Sequence, residues 1–152
     1  MRTEERIVLR VLVTGGAGFI GSHLVERLLG DGYEVVCLDD FNDFYDPKIK
    51  WENLSGCLNR PRFEVVQGDI RDQRLVEEVF RKGTFEKVVH LAARAGVRAS
   101  LKDPLLYEDV NVRGTMHLLE ASKHAGVKQF VFASSSSVYG VFVAWWRCRN
   151  GM

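Results

Sequence analysis

Residues 14–21 read TGGAGFIG, and they stand between an apolar run, Ile7 to Val13, and a helical pattern over residues 19–30. Phe19, Ile20, Leu24, Leu28 and Leu29 recur near one face at helical spacing, and Gly30 and Gly32 follow as a stop signal. A chain that passes from strand to helix across Gly15, Gly18 and Gly21 has few folds open to it. The strand must turn tightly into the helix, backbone must come close to a pyrophosphate with no Cβ in the way, and helix must pack closely on strand. The helix N-terminus then offers free N–H groups and a partial positive charge to phosphate.

The rest of the chain repeats this alternation, which predicts βαβ units and a doubly wound parallel α/β sheet. Further strands are expected at Tyr33 to Leu38, Phe63 to Gln67, Lys87 to Ala92 and Gln129 to Ala133. A short helix is expected over 47–58. Another runs over 73–82 behind an Asp72 cap, with Leu75, Val76, Val79 and Phe80 inward. Asp103-Pro104 opens a long helix reaching about Ala125.

Length and charge narrow the function classes. At 152 residues the chain is the size of one domain, and 46% hydrophobic with 27% charged residues excludes a disordered or fibrous chain. Its 21 basic and 20 acidic residues leave a net charge of +1, so no bulk field favours nucleic acid or an anionic membrane. The longest apolar run, Val141 to Trp146, is too short to span a bilayer, and the charged first ten residues do not read as a signal peptide. Cys37, Cys57 and Cys148 are odd in number without a CxxC pair, which fits a reduced cytoplasmic protein. His23, His90, His117 and His124 show no metal-ligand spacing, so no metal site is expected.

Composition changes after Gly140. The last twelve residues, VFVAWWRCRNGM, carry two of the three tryptophans, and suit neither a polar loop nor an amphipathic helix. Residues 1–140 are therefore read as one dinucleotide-binding domain. Residues 141–152 are read either as a strand with a frayed end or, as the sharper expectation, as a truncated or frame-altered end.

Several strand ends should converge on one cleft, because ligands of such sheets bind beyond the carboxyl ends of the strands. Asp39 ends the second strand, eighteen residues past Gly21. A carboxylate there can accept both adenosine ribose hydroxyls and would repel a 2′-phosphate. Since no Arg or Lys lies between Asp39 and Pro47, NAD is expected over NADP. Asp69 is placed to bond the adenine amino group and Ile70 to pack on the ring, while Leu91, Ala92 and Ala93 leave room for the cofactor along the fourth strand.

The series TGGAGFIG, Asp39, GDIRD (68–72), HLAA (90–93), NVRGT (111–115) and SSSSVYG (134–140) resembles the extended short-chain dehydrogenase/reductase family, within it the NAD-dependent nucleotide-sugar epimerases and dehydratases. The match runs from about residue 8 to Gly140. LDDFNDFYDP (38–47) and AARAGVRAS (92–100) look most like the UDP-glucuronate 4-epimerase branch. The resemblance implies a Rossmann-type sheet of order 3-2-1-4-5 without the C-terminal substrate part. It also implies a reaction in which the sugar C4 is oxidised, the 4-keto sugar rotates and C4 is reduced from the other face. Cofactor contact falls on Gly15, Gly18, Phe19, Ile20, Gly21, Asp39, Asp40, Asn42, Asp69, Ile70, Leu91, Ala92, Ala93 and Val110. The catalytic hydroxyl falls on Ser135, and Arg98 and Ser100 fall near phosphate and sugar.

The family's tyrosine and lysine lie in a YxxxK motif on a later helix, and no YxxxK occurs in this sequence; Tyr139 does not match that tyrosine. Asn111 is expected to brace the serine strand. The helix carrying Leu118 and Leu119 contributes to a homodimer interface in the family. The expected partner is a UDP-sugar, and the chain alone is expected to bind NAD weakly at best and to be inactive. A 4,6-dehydratase or decarboxylase, and a non-catalytic dinucleotide-binding module, are the alternatives.

Overall fold

The computed structural model describes residues 8–135 and residue 138; the expectations for residues 141–152 lie outside the described residues. Five parallel strands, β1 (Arg10–Thr14), β2 (Glu34–Asp39), β3 (Phe63–Gln67), β4 (Lys87–His90) and β5 (Gln129–Phe132), lie in the order β3-β2-β1-β4-β5. That is the order expected from the resemblance. The inner strands β1, β2 and β4 read as short apolar runs because both faces are covered, whereas the edge strand β5 leaves Val131 and Phe132 exposed. Leu12, Val36, Leu38 and Val88 point to the side of α3 (Gln73–Lys82), where they meet Val76, Val79 and Phe80. Their neighbours Val11, Val13 and Val35 point the other way, onto Val25 of α1 (Phe19–Gly30). Cys37 packs there with Leu54 of α2 (Pro47–Leu54).

The helix starts follow the chemistry of their caps. Asp72 accepts hydrogen bonds from the N–H groups of Arg74 and Leu75 at 3.0 and 3.1 Å, and Asp46 accepts from Lys48 N–H at 3.0 Å. α2 ends at Leu54, short of residue 58, because the backbone tightens there into turns such as Ser55 N–H to Glu52 C=O. β4 ends two residues early for a different reason. Its neighbour β1 turns away at Gly15, so Ala92 N–H finds the Thr14 hydroxyl at 3.3 Å in place of a ladder carbonyl.

A helix that the apolar pattern did not announce, α4 (Val97–Lys102), buries no residue; Val97 and Leu101 are 73% and 79% exposed. The long helix expected from Asp103 is present in three parts. α5 (Pro104–Glu108) passes into a π-helical segment, Asp109–Gly114, and then into α6 (Thr115–His124). Leu118 of α6 is fully buried, so of the expected interface pair only Leu119 is on the surface.

His90 ties these layers together from a position 1% exposed. The Thr115 hydroxyl donates to Asn111 C=O at 2.7 Å, so it accepts from His90 Nε2–H at 2.9 Å. That fixes Nδ1 as the acceptor of the Thr14 hydroxyl proton at 2.7 Å. Every proton in the chain from Ala92 N–H to Asn111 C=O then has one direction and one acceptor. Burial holds the imidazole neutral, with its pKa pushed from 6.5 down to about 4.

Candidate nucleotide-binding site

The glycine turn takes its shape from three separate constraints. Gly15 has φ of +68°, and a Cβ there would lie 2.6 Å from Ala92 N. A Cβ on Gly21 would overlap Gly15 C=O and the Gly16 backbone, so close packing requires glycine at 21. Gly18 differs, since its Cβ would meet only Gly15 O, at 3.3 Å. The fold leaves that side open to the cleft. No side chain caps α1, so its first N–H groups and dipole face the same space.

Across the turn stands Asp39, 5% exposed. Its Oδ2 accepts Ala17 N–H at 3.2 Å, and its Oδ1 accepts Phe41 N–H and Lys50 Nζ, each at 3.0 Å. A carboxylate offers about four lone-pair positions. Three are used, which leaves the open position on Oδ2. Lys50, itself 5% exposed, also reaches Asp40 at 3.5 Å and retains a third N–H. No cation was expected here. It arrives from α2, eleven residues on, where Lys50 and Leu54 share the helix face turned inward. Between Asp39 and Asn42, Phe41 holds φ near +50°, a left-handed conformation rare for a bulky residue. Stacking of its ring on Trp51, 4.1 Å between centroids, steadies the turn.

The far wall is the GDIRD loop. Asp69 receives Arg71 N–H at 2.8 Å on one oxygen and the Arg71 guanidinium at 2.9 and 2.6 Å on the other. Burial alone would raise its pKa, but Arg71, helped by Arg94, holds it below the ordinary value. One lone pair remains on Oδ1. Ile70 is pressed against Gly114 of the π segment, and the loop is pinned from α6 by the His117 ring nitrogen Nδ1, 3.1 Å from Ile70 C=O. Asn111 makes a two-point clamp on the loop after β4, accepting Arg94 N–H at 2.7 Å and donating to Arg94 C=O at 3.0 Å. Among the described residues its side chain braces that loop and not the serine strand expected from sequence, because the π segment lies beside residue 94.

These elements enclose one cleft of about 390 Å³. All fourteen residues expected at a cofactor line it, from Gly15 through Val110. It is also lined by Phe44, Tyr45, Lys50 and Arg94, none of which the sequence singled out. Phe44 and Tyr45 stand in the turn that follows Asp39, and their aromatic character was the available signal. Ser135 lies three residues past β5, exposed, with its carbonyl accepting Val138 N–H at 3.1 Å. Arg98 and Ser100 lie on α4; Arg98 is exposed, the Ser100 hydroxyl donates to Val97 C=O at 2.8 Å, and neither lines the cleft. Among the described residues no group of three or more His, Cys, Asp or Glu could hold a metal ion, and no helix is long and apolar enough to cross a membrane.

The chain has known counterparts. The family profile described as GDP-mannose 4,6 dehydratase matches residues 12–144. A UDP-glucuronate 4-epimerase of Thermodesulfobacterium geofontis is 45% identical over 128 residues, covering 84% of this chain and 40% of the relative. UDP-glucuronate 4-epimerase 5 of Arabidopsis thaliana is 46% identical over 134 residues, covering 88% and 30%. Among solved structures, UDP-glucuronic acid 4-epimerase from Bacillus cereus, crystallised with UDP-glucuronic acid and NAD, superposes with a TM-score of 0.79 at 39% identity, covering 87% of this chain and 42% of that one. UDP-glucose 4-epimerase from Thermus thermophilus in complex with NAD gives 0.72 at 43% identity, covering 84% and 38%. The chain thus spans at most about two fifths of the length of these relatives.

Proposed function

The chain belongs to the GDP-mannose 4,6-dehydratase family of nucleotide-sugar epimerases and dehydratases, and on that premise we propose that its cleft is the NAD site of a UDP-glucuronate 4-epimerase. One observation carries the reading: the glycine turn, Asp39 and the Asp69–Ile70 loop stand around a single cleft at the uncapped end of α1. These residues fit the cofactor. The open side of Gly18 and the α1 N-terminus suit a diphosphate. The spare lone pair of Asp39 accepts one ribose hydroxyl, and the third N–H of Lys50 is available to the other hydroxyl's oxygen. Lys50 shares its charge between two carboxylates, so the corner stays net negative and disfavours a 2′-phosphate.

When bound, the nicotinamide supplies the reversible oxidation of the sugar C4. Ser135 is assigned the hydrogen bond to the reacting oxygen, and the 152 residues contain no YxxxK to supply the proton acceptor. We therefore assign to this chain cofactor binding without turnover. The exposed stripe of Leu105, Val112, Met116 and Leu119 supports a homodimer of the family kind, which sedimentation over a concentration series would reveal. The direct test incubates the purified chain with NAD and UDP-glucuronate. No UDP-galacturonate is expected; measurable product would show that a base other than the YxxxK tyrosine suffices.

A further inference from the structure

Among the described residues, five charged ones line the cleft: Asp39, Asp40, Asp69, Lys50 and Arg94. Four of them are already engaged. Lys50 bonds Asp39 and Asp40, and Asp69 is held by Arg71. Arg94 is the exception. Among the described residues no carboxylate lies within ion-pair distance of its guanidinium, which sits 5.9 Å from the Phe44 ring centroid on the opposite lip of the cleft. Its backbone is nonetheless fixed at both N–H and C=O by the side-chain amide of Asn111. Asp69 feels the charge of Arg94 without bonding it. A pinned, half-buried arginine that forms no ion pair among the described residues, on the wall of a cleft with three carboxylates, is free to bond an anion.

We propose that Arg94 binds the diphosphate of the dinucleotide, with Asn111 as its positioning residue. The inference rests on the nucleotide reading of the cleft and adds a residue to it. The ligand's diphosphate carries two negative charges and would lie among Asp39, Asp40 and Asp69. The α1 dipole offsets only about half a charge. Arg94 supplies a full one, on a planar fork that matches phosphate oxygens, and Phe44 limits where the fork can swing. Arg98, exposed on α4 and outside the cleft lining, is not placed for this role.

The test is a titration of amide NMR spectra with adenosine, ADP and UDP, on the chain and on its Arg94→Gln and Arg94→Lys variants. An amide spectrum unchanged outside the cleft establishes that each variant is folded. Arg94→Gln is expected to weaken ADP about tenfold while adenosine changes by less than about twofold, and Arg94→Lys to recover part of the loss. Equal losses for adenosine and ADP, an unchanged ADP affinity, or a loss confined to UDP would each overturn the proposal. Should the unaltered chain bind neither adenosine nor ADP, the nucleotide reading itself fails. Binding of both, with Arg94→Gln indistinguishable from the parent, removes only the role of Arg94.

Discussion

Asp39 shows how a residue can be legible in kind and illegible in detail. Its place at the end of an apolar strand after a glycine turn marks it as a ligand acceptor from sequence alone. Its remaining capacity does not follow from sequence, because Lys50, Ala17 N–H and Phe41 N–H are brought to it by α2 and by a left-handed phenylalanine. No local signal requires a bulky residue to adopt that conformation; stacking on Trp51 does. The Asp39→Asn variant keeps the shape and removes the charge. It should lower NAD affinity about tenfold and, by releasing Lys50 toward a 2′-phosphate, narrow the preference over NADP. Calorimetric titration with both cofactors checks this, and an unchanged NAD affinity would contradict the ribose role.

Among the elements, the glycine turn divides into positions that serve the fold and one that serves the ligand. Gly21→Ala drives a methyl into the backbone of Gly15 and Gly16, and about 2 kcal/mol or more of stability should be lost on urea unfolding. Gly18→Ala makes one tight contact, 3.3 Å to the Gly15 oxygen, which a shift of a few tenths of an ångström relieves, so stability should change by less than about 1 kcal/mol while NAD binding falls sharply. The opposite ranking would mean that Gly18 is structural. The helices separate in legibility along the same line. α3 is readable because it buries a periodic face, and α1 through Leu24, Leu28 and Leu29, half-buried beside Val25, although Phe19 and Ile20 of the same apolar set are exposed; α4 buries nothing and leaves no pattern to read. The π segment was hidden inside an unbroken helical pattern. Its role appears only in three dimensions, where Val110 reaches the cleft and Asn111 holds Arg94.

For the whole molecule, the sheet order followed from the resemblance and the alternation of elements, while the buried polar network at its centre did not. His90 is neutral in the fold, with its pKa lowered from 6.5 to about 4 by burial. The unfolded chain binds the extra proton, so this contribution is complete above about pH 6.5 and is lost as pH falls toward 4. The full loss is about 3 kcal/mol. Urea unfolding between pH 7 and 4.5 should show the decline, and His90→Gln should flatten it. Cys37 is buried, and burial followed by the charge of Asp39 pushes its thiol up to about 12. Iodoacetamide should therefore spare Cys37 in the native protein and modify it in denaturant, as mass mapping of its peptide would show. Rapid native labelling of Cys37 would mean that the layer beneath the glycine turn opens.

The binding claim itself is tested most directly by titrating NAD into the isotope-labelled chain and following every assigned amide. We expect weak, saturable one-to-one binding, with the largest shifts at Gly15 to Gly21, Asp39 to Asn42, Asp69–Ile70 and Ala92 to Ala95, and a smaller response to NADP. No saturable change, or shifts centred on α4 and the surface of α3, would contradict the assignment of this cleft to the cofactor.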